Sequence, residues 1–420
     1  MSKKYKICML SDSPFTPTGY SKISTEVLNR LDGEKWEKHH FSHNFLGMTV
    51  LPGIKTDEGT VINKDFTIHG AGLAPYFSDK VSSKIKEIRP EVFGVLLDTF
   101  MLKQSGYDNI DLSPAKTFFY FPTDGGGGLP IGCETILKKV DLPIAMSKFG
   151  QKQVLDYHGI KSEYIPHGVD TKFFRPLFDD EKRFLKEKYG LGKKFVFLAV
   201  FRNQGRKMAD RQYKALYAFS KFAKGKDDVV LLCHADPNDP ASPFNTVHVL
   251  NRLGLQNKVC FTGMTFFKGF DTSRMNEVYN LGDVYVSSTS GEGWGICTIE
   301  AMSAGLPCII TDYTTTREII YEDGVCGIPV PLTGCPSLNL FEMNSYEYDM
   351  EVNNGTITGS WDVERGMVDV NKFAEAMETL YRDEKLRSEY SKVGREKVVK
   401  YYDWDVVMKM WDDVLGRLVG

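Results

Sequence analysis

Short apolar runs alternate with amphipathic stretches of helix length along almost the whole chain, and this alternation constrains the fold more than any other feature. Apolar runs of strand length read as strands, and the segments between them as the helices of βαβ units in a parallel sheet. In the first half the runs are KICML (6–10), EVFGVLL (91–97), TFFYF (117–121) and LPIAM (142–146). In the second they are FVFLAVF (195–201), VVLLCHA (229–235), VCFTG (259–263), VYVSS (284–288) and PCIIT (307–311). The fold class is α/β.

A chain of 420 residues is too long for one ordinary core, so two domains are expected. Between the two sets of runs, YIPHGVDTKFFRPLFDDEKRFLKEKYGLGKK carries Pro, Gly and charge, which marks a linker around residues 168–194. The expectation is a Rossmann-like domain over 1–168 and a second over 169–400. Ligands of such sheets bind outside the carboxyl ends of the strands, so two facing domains enclose a cleft. Residues 331–366 are long and irregular for a compact domain, and read either as a surface insertion or as a functional loop.

Composition narrows the partners. Hydrophobic residues at 42% and charged residues at 25% are ordinary for a folded protein and exclude a disordered one. Lys and Arg number 52 against 55 Asp and Glu, a net charge of -3, so bulk charge does not attract nucleic acid and only a local basic patch could. The 8 cysteines form no Cys-x-x-Cys pair and read as reduced, buried thiols of a cytoplasmic protein. The N-terminal apolar run is too short for a secretory signal, and no stretch reaches the roughly 18 residues that span a bilayer. Peripheral membrane contact stays open.

The chemistry concentrates in STSGEGWGICTIEAMSAGLPCIIT, residues 287–311. A strand runs into the turn Gly291-Glu292-Gly293-Trp294-Gly295 and then into a helix with Ile296, Ile299 and Met302 on its apolar face. Glycines let a backbone approach a ligand, and a helix N-terminus favours an anion, so a phosphate is expected there. Upstream, FRNQGRKMADRQ presents Arg202 and Lys207 on the loop after a strand. At that spacing both cations can converge on one diphosphate, Arg as a fork and Lys as a point charge. Arg206 and Arg211 read as solvated or helix-face residues.

The Glu292-GWGICTI-Glu300 element, with Arg202-x4-Lys207 before it, resembles the retaining glycosyltransferases of the GT-B fold, family 4 in particular. The resemblance implies that Glu292 contacts hydroxyls of the donor sugar, Glu300 the ribose, and Arg202 and Lys207 the pyrophosphate. Gly293, Trp294 and Gly295 then belong to the donor site. YIPHGVDTKFFRP (164–176) is similar to the segment that leads from the family's first domain into its second. There Gly168 is expected at positive φ, Asp170 as a cap, and His167 as a turn residue or an acceptor-side group. SDSPFTPTGYSKISTEVLNRL places Gly19 before a helix, like the family's glycine loop that meets the donor phosphate, though with a single glycine where two are usual. Asp12 and Ser13 beside it could cap that helix or meet an acceptor. In YFPTDGGGGLP (120–130), Asp124 stands at a strand end where much of the family has His, which makes it an acceptor-side candidate or part of a flexible linker. DWDVVMKMWDDVLGRL looks like the family's last helix, so residues 401–420 are expected to cross back onto the first domain. The resemblance covers nearly the full length, with 331–366 outside it.

What it implies is a cytoplasmic enzyme that moves a sugar from a nucleoside-diphosphate sugar to a hydroxyl acceptor with retention, using no cofactor and no metal. The acceptor stays open among glycan, lipid, protein and nucleic acid. The rival readings are a sugar-nucleotide epimerase or phosphorylase of the same fold, and a non-catalytic nucleotide- or glycan-binding protein. Asp403-Trp404-Asp405 imitates a metal-binding Asp-x-Asp but stands where a helix N-cap is expected. His39, His40 and His43 alternate as in a strand and lack a partnering Cys for a zinc site.

Overall fold

The computed structural model describes residues 4–222, 228–265, 268–333 and 363–420. The first sheet is built from β1 (Tyr5–Ser11), β2 (Trp36–Leu46), β3 (Thr49–Val50), β4 (Phe66–Ala71), β5 (Val92–Val95), β6 (Lys116–Phe121), β7 (Leu142–Ala145) and β8 (Glu163–Tyr164). Its order is β3-β4-β2-β1-β5-β6-β7-β8, parallel except for the β3–β4 pair. The second contains β9 (Phe195–Val200), β10 (Val229–His234), β11 (Val259–Phe261), β12 (Val284–Ser287), β13 (Cys308–Thr311) and β14 (Gly327–Val330), all parallel in the order β11-β10-β9-β12-β13-β14. Every apolar run read from the sequence contributes a strand. β1, β5, β9, β10, β12 and β13 are almost wholly buried, as strands covered by helices on both faces must be.

The helices are α1 (Gly19–Arg30), α2 (Val81–Ile88), α3 (Thr99–Gln104), α4 (Glu134–Lys139), α5 (Lys148–His158), α6 (Asp179–Lys188), α7 (Ala209–Phe222), α8 (Thr246–Leu253), α9 (Thr272–Leu281), α10 (Ile296–Ser303), α11 (Thr316–Tyr321), α12 (Val370–Arg382), α13 (Glu384–Tyr401) and α14 (Trp404–Val419). Among the described residues no helix is long and apolar enough to cross a membrane. Each sheet reverses its strand order once, between β1 and β5 in the first and between β9 and β12 in the second. Loops leaving the carboxyl ends of those strands border the crevice where ligands of such sheets bind.

The linker expected around 168–194 is more ordered than its composition suggests, because α6 lies inside it. Leu185 of α6 is buried, and the Lys186 amine reaches the Asp283 carboxylate. Gly168 is absent from the positive-φ glycines, contrary to expectation. Its missing side chain is required instead by Trp404, whose ring would stand 2.4 Å from an added Cβ. Asp170 does cap the following turn, accepting from the N–H groups of Lys172 and Phe173. Asp403 caps α14 by accepting from Asp405 N, so the Asp-x-Asp sequence is a helix start. Trp411 of α14 is fully buried, with its ring 5.6 Å from Phe118 and 5.0 Å from Tyr120, both on β6. Most of the 331–366 segment lies outside the described residues.

Candidate functional site

Two loops of the second domain leave β9 and β12, the strands on either side of its reversal, and are laced together by their own hydrogen bonds. Ser288 Oγ donates to the carbonyls of Lys207 (3.1 Å) and Met208 (2.7 Å), and Ser290 N donates to Arg206 O (2.8 Å). Glu292 N donates to Thr314 Oγ1 at 3.0 Å, and Thr315 Oγ1 donates to Trp294 O at 2.8 Å. Gly295, at φ 107°, turns the chain into α10, a conformation that favours glycine.

This lacing puts the Glu292 carboxylate between two cations. Arg206 Nη1 donates to its Oε2 at 3.1 Å, and Lys207 Nζ pairs with its Oε1. Burial alone would raise the carboxyl, but Lys207 and Arg206 override it and hold Glu292 down to about 2. Lys207 is itself lowered by burial and by the neighbouring Arg206, against the pull of Glu292. Glu300, two turns into the same stretch, is engaged from elsewhere. Its Oε1 pairs with Lys22 of α1, across the cleft, and its Oε2 accepts from Tyr279 OH at 2.6 Å. Burial opposes charge on Lys22, yet Glu300 keeps it above its ordinary value.

Arg206, read from the sequence as a solvated or helix-face residue, is instead a partly buried member of the site. Its Nη1 also donates to Gly291 O (2.9 Å), and its Nε stands 3.6 Å from the Asp124 carboxylate of the first domain. Arg202, expected to join Lys207 on one anion, turns instead to Asp239 at 3.2 Å on a half-exposed side chain. Arg211 is a partly buried residue of α7 with its guanidinium against Met367 Sδ.

The glycines of the turn are used by the facing domain. A Cβ on Gly291 would lie 1.9 Å from Asp124 O, and one on Gly293 would lie 2.6 Å from Pro122 Cβ. A Cβ on Gly19, the first residue of α1, would likewise lie 3.3 Å from Ile296 Cδ1 at the start of α10. The cleft is therefore closed. Further contacts span it: Thr56 and Thr60 hydroxyls donate to Asp271 (2.8 and 3.0 Å), and Ser273 Oγ donates to Glu58 (3.0 Å).

Trp294 and His167 stand behind the turn. Trp294 is 2% exposed and packs edge-on to Tyr402 at 5.1 Å, so its side chain belongs to the core and only its backbone to the turn. The His167 ring lies between Tyr120 (5.4 Å) and Trp294 (6.3 Å), and burial keeps it neutral, with its pKa down to about 3. Among the described residues neither of its nitrogens has a hydrogen-bond partner.

Asp124 is gripped from the second domain's side by Arg365, whose Nη1 reaches its carboxylate at 2.9 Å and its carbonyl at 2.7 Å. Sequence reasoning missed Arg365, Lys22 and the Tyr20–Asp98 pair. Tyr20 OH donates to Asp98 Oδ1 at 2.8 Å, and burial, with Asp124 nearby, pushes the Asp98 carboxyl up to about 6. One signal was available: β1, β5 and β6 are adjacent, and Asp12, Asp98 and Asp124 each stand just beyond a carboxyl end. Asp12 accepts from Thr18 Oγ1 and pairs with His43 Nε2 at 2.7 Å. His39 meets His69 at 3.0 Å, and His40 lies between Ser24 and Ser42. Among the described residues no group of three or more His, Cys, Asp or Glu side chains gathers as a metal site would.

Residues 192–336 match the family model described as glycosyl transferases group 1. EpsD of Bacillus subtilis (strain 168), a glycosyltransferase by name, is 30% identical over a stretch covering 39% of this chain and 40% of its own. The chain spans about two-fifths of the length of the curated relatives it matches. Solved structures align over nearly everything. Sucrose-phosphate synthase from Thermosynechococcus elongatus gives a TM-score of 0.73 at 16% identity, covering 99% of both chains. HepE of Anabaena, in complex with UDP and glucose, gives 0.70 at 12% identity, covering 98% of this chain and 100% of that one. These likenesses establish the fold as GT-B, two Rossmann-like domains facing across a cleft.

Proposed function

We propose, on the premise that the second domain is of the group 1 glycosyl transferase kind, that the chain transfers a sugar from a nucleoside-diphosphate sugar to a hydroxyl acceptor with retention at the anomeric carbon. The observation that carries this reading is the Glu292 carboxylate held ionised between Lys207 and Arg206 at the reversal point of the second sheet, with Glu300 one helix face away. Such transfer is hard because the departing diphosphate gains charge while the sugar becomes oxocarbenium-like. Lys207, Arg202 and the backbone N–H groups near Gly293–Gly295 meet that charge, and no metal is needed. Arg202, on a half-exposed side chain, swings from Asp239 to the diphosphate. Glu292 orients the sugar and Glu300 the ribose. Lys22 must leave Glu300 as the donor enters, so the cleft opens before it loads.

Retention follows if the acceptor attacks from the face the diphosphate leaves, with the departing phosphate taking its proton. Asp124, Asp98 and Tyr20 line the first domain's side and are the acceptor-side groups of this reading. HepE was solved with UDP and glucose, which supports a nucleotide-sugar donor here. The described cysteines are free thiols, which fits a reducing, cytoplasmic setting. Thermal-shift measurements with UDP, GDP, ADP and TDP test the proposal. One of the four at a hundred times its Kd should stabilise the chain by about 2.7 kcal/mol. No shift with any of them would contradict it.

A further inference from the structure

Resting on that reading, we propose that Arg206 is a positioning residue: anchored by Asp124 of the facing domain, which Arg365 fixes in turn, it sets the Glu292 carboxylate only when the two domains are closed. The observations form a chain of alternating charge across the cleft. Arg365 Nη1 lies 2.9 Å from Asp124 Oδ2, Arg206 Nε lies 3.6 Å from the same oxygen, and Arg206 Nη1 lies 3.1 Å from Glu292 Oε2, with Lys207 completing the row on Oε1.

Both arginines belong to the second domain's side. Gly366 N, next to Arg365, donates to Ser290 O at 2.9 Å, and Leu332 and Val368 form a strand bridge. Glu364 bridges to Gly126 of the first domain, and Tyr313 OH accepts from Gly126 N at 3.0 Å. Asp124 is thus the first-domain anion in a socket built by the second. A clasp that only joined the domains would end at Asp124. Here the same guanidinium also holds Glu292 and Gly291 O, so the orientation of the sugar-facing carboxylate depends on where the first domain stands.

The consequence is a division of labour between the two cations on Glu292. Closure fixes Arg206 by its second anion and keeps it at Glu292. Lys207, which has no such anchor across the cleft among the described residues, is the one that turns to the donor diphosphate. In an open molecule Arg206 loses Asp124, and Glu292 is no longer oriented by the acceptor side.

The test uses the full chain and release of nucleoside diphosphate from UDP-glucose, GDP-mannose, ADP-glucose and TDP-glucose. On the donor that wild type turns over best, Arg206→Gln and Asp124→Asn should each lower kcat by about 10- to 100-fold, the cost of misplacing a reacting geometry. Donor KM should stay within about twofold. Arg206→Lys, which keeps the charge without the fork, should fall between wild type and Gln, and it serves as the readout if the Gln variant does not fold. The double variant should be no slower than the slower single one, because both changes cut one connection. Wild-type kcat in either single variant, losses that multiply in the double variant, or a loss appearing only in KM would overturn the proposal while leaving the glycosyltransferase reading intact. Wild type releasing no nucleoside diphosphate from any of the four would overturn both.

Discussion

Glu292 and Glu300 lie on one turn and one helix, yet their surroundings ask different things of them. Glu292 sits between two cations of its own domain, whereas Glu300 is held by Tyr279 and by Lys22 from the facing one. Ribose hydroxyls do not change charge during transfer, so a carboxylate that holds them contributes nearly equally to ground and transition states. Glu300→Ala should therefore raise donor KM and leave kcat close to wild type, while Glu292→Gln should depress kcat. Steady-state kinetics on the preferred nucleotide sugar would reverse these roles if Glu300→Ala lost kcat at unchanged KM. The Glu-x7-Glu spacing was legible because it lies within one turn and helix, whereas Arg202, expected beside Lys207 on one anion, turns to Asp239. Lys22, Asp98 and Arg365 were not legible, because a partner across the cleft has no fixed distance in sequence. Arg206 was misread for a physical reason. An isolated cation belongs in water, and the sequence does not display the two carboxylates that surround it.

Elements at the domain contact carry a titratable group of their own. Glu318 of α11 accepts from Lys148 N, the first residue of α5, at 3.0 Å. Burial, assisted by Glu322, pushes its carboxyl up to about 7 from an ordinary 4.5. A carboxyl raised in the folded state binds its proton more tightly there than in the unfolded chain, so its stabilising contribution is full below pH 4.5 and is lost as pH rises through about 7. Wild type should lose about 2 to 3 kcal/mol between pH 5 and pH 8 relative to Glu318→Gln, as read by urea denaturation at both pH values. Parallel losses in the two proteins would contradict this. Central strands were legible as continuous apolar runs. β8 is only two residues long, and β14 carries Pro329, so neither looks like a strand on its own. α6 escaped because DDEKRFLKEK is nearly all charged, and it packs through Leu185 and through the pairs of Lys182 and Lys186 with Asp283 and of Lys188 with Glu277.

Across the whole molecule, the division into two parallel-sheet domains was legible from length and from the two sets of apolar runs. The contacts that close the cleft were not legible. They depend on backbone approaching backbone, as at Gly291 against Asp124 and Gly293 against Pro122, and glycine marks such an approach without saying what arrives. α14, the last helix, is tied to β6 of the first domain through Trp411, fully buried against Phe118 and Tyr120. Trp411→Ala should cost about 3 to 5 kcal/mol in chemical denaturation, the usual range for emptying an aromatic site. A cost under about 1 kcal/mol would mean that the helix does not support the first domain. The central claim is that the cluster around Glu292 and Lys207 is where a nucleoside diphosphate is held. Calorimetric titration of UDP, GDP, ADP and TDP into wild type and Lys207→Ala tests it most directly. One of the four should bind wild type, and its Kd should rise by about 10- to 100-fold in the variant, the loss expected for one charge-assisted hydrogen bond. Equal affinity in the two proteins, or no binding by either, would contradict the account.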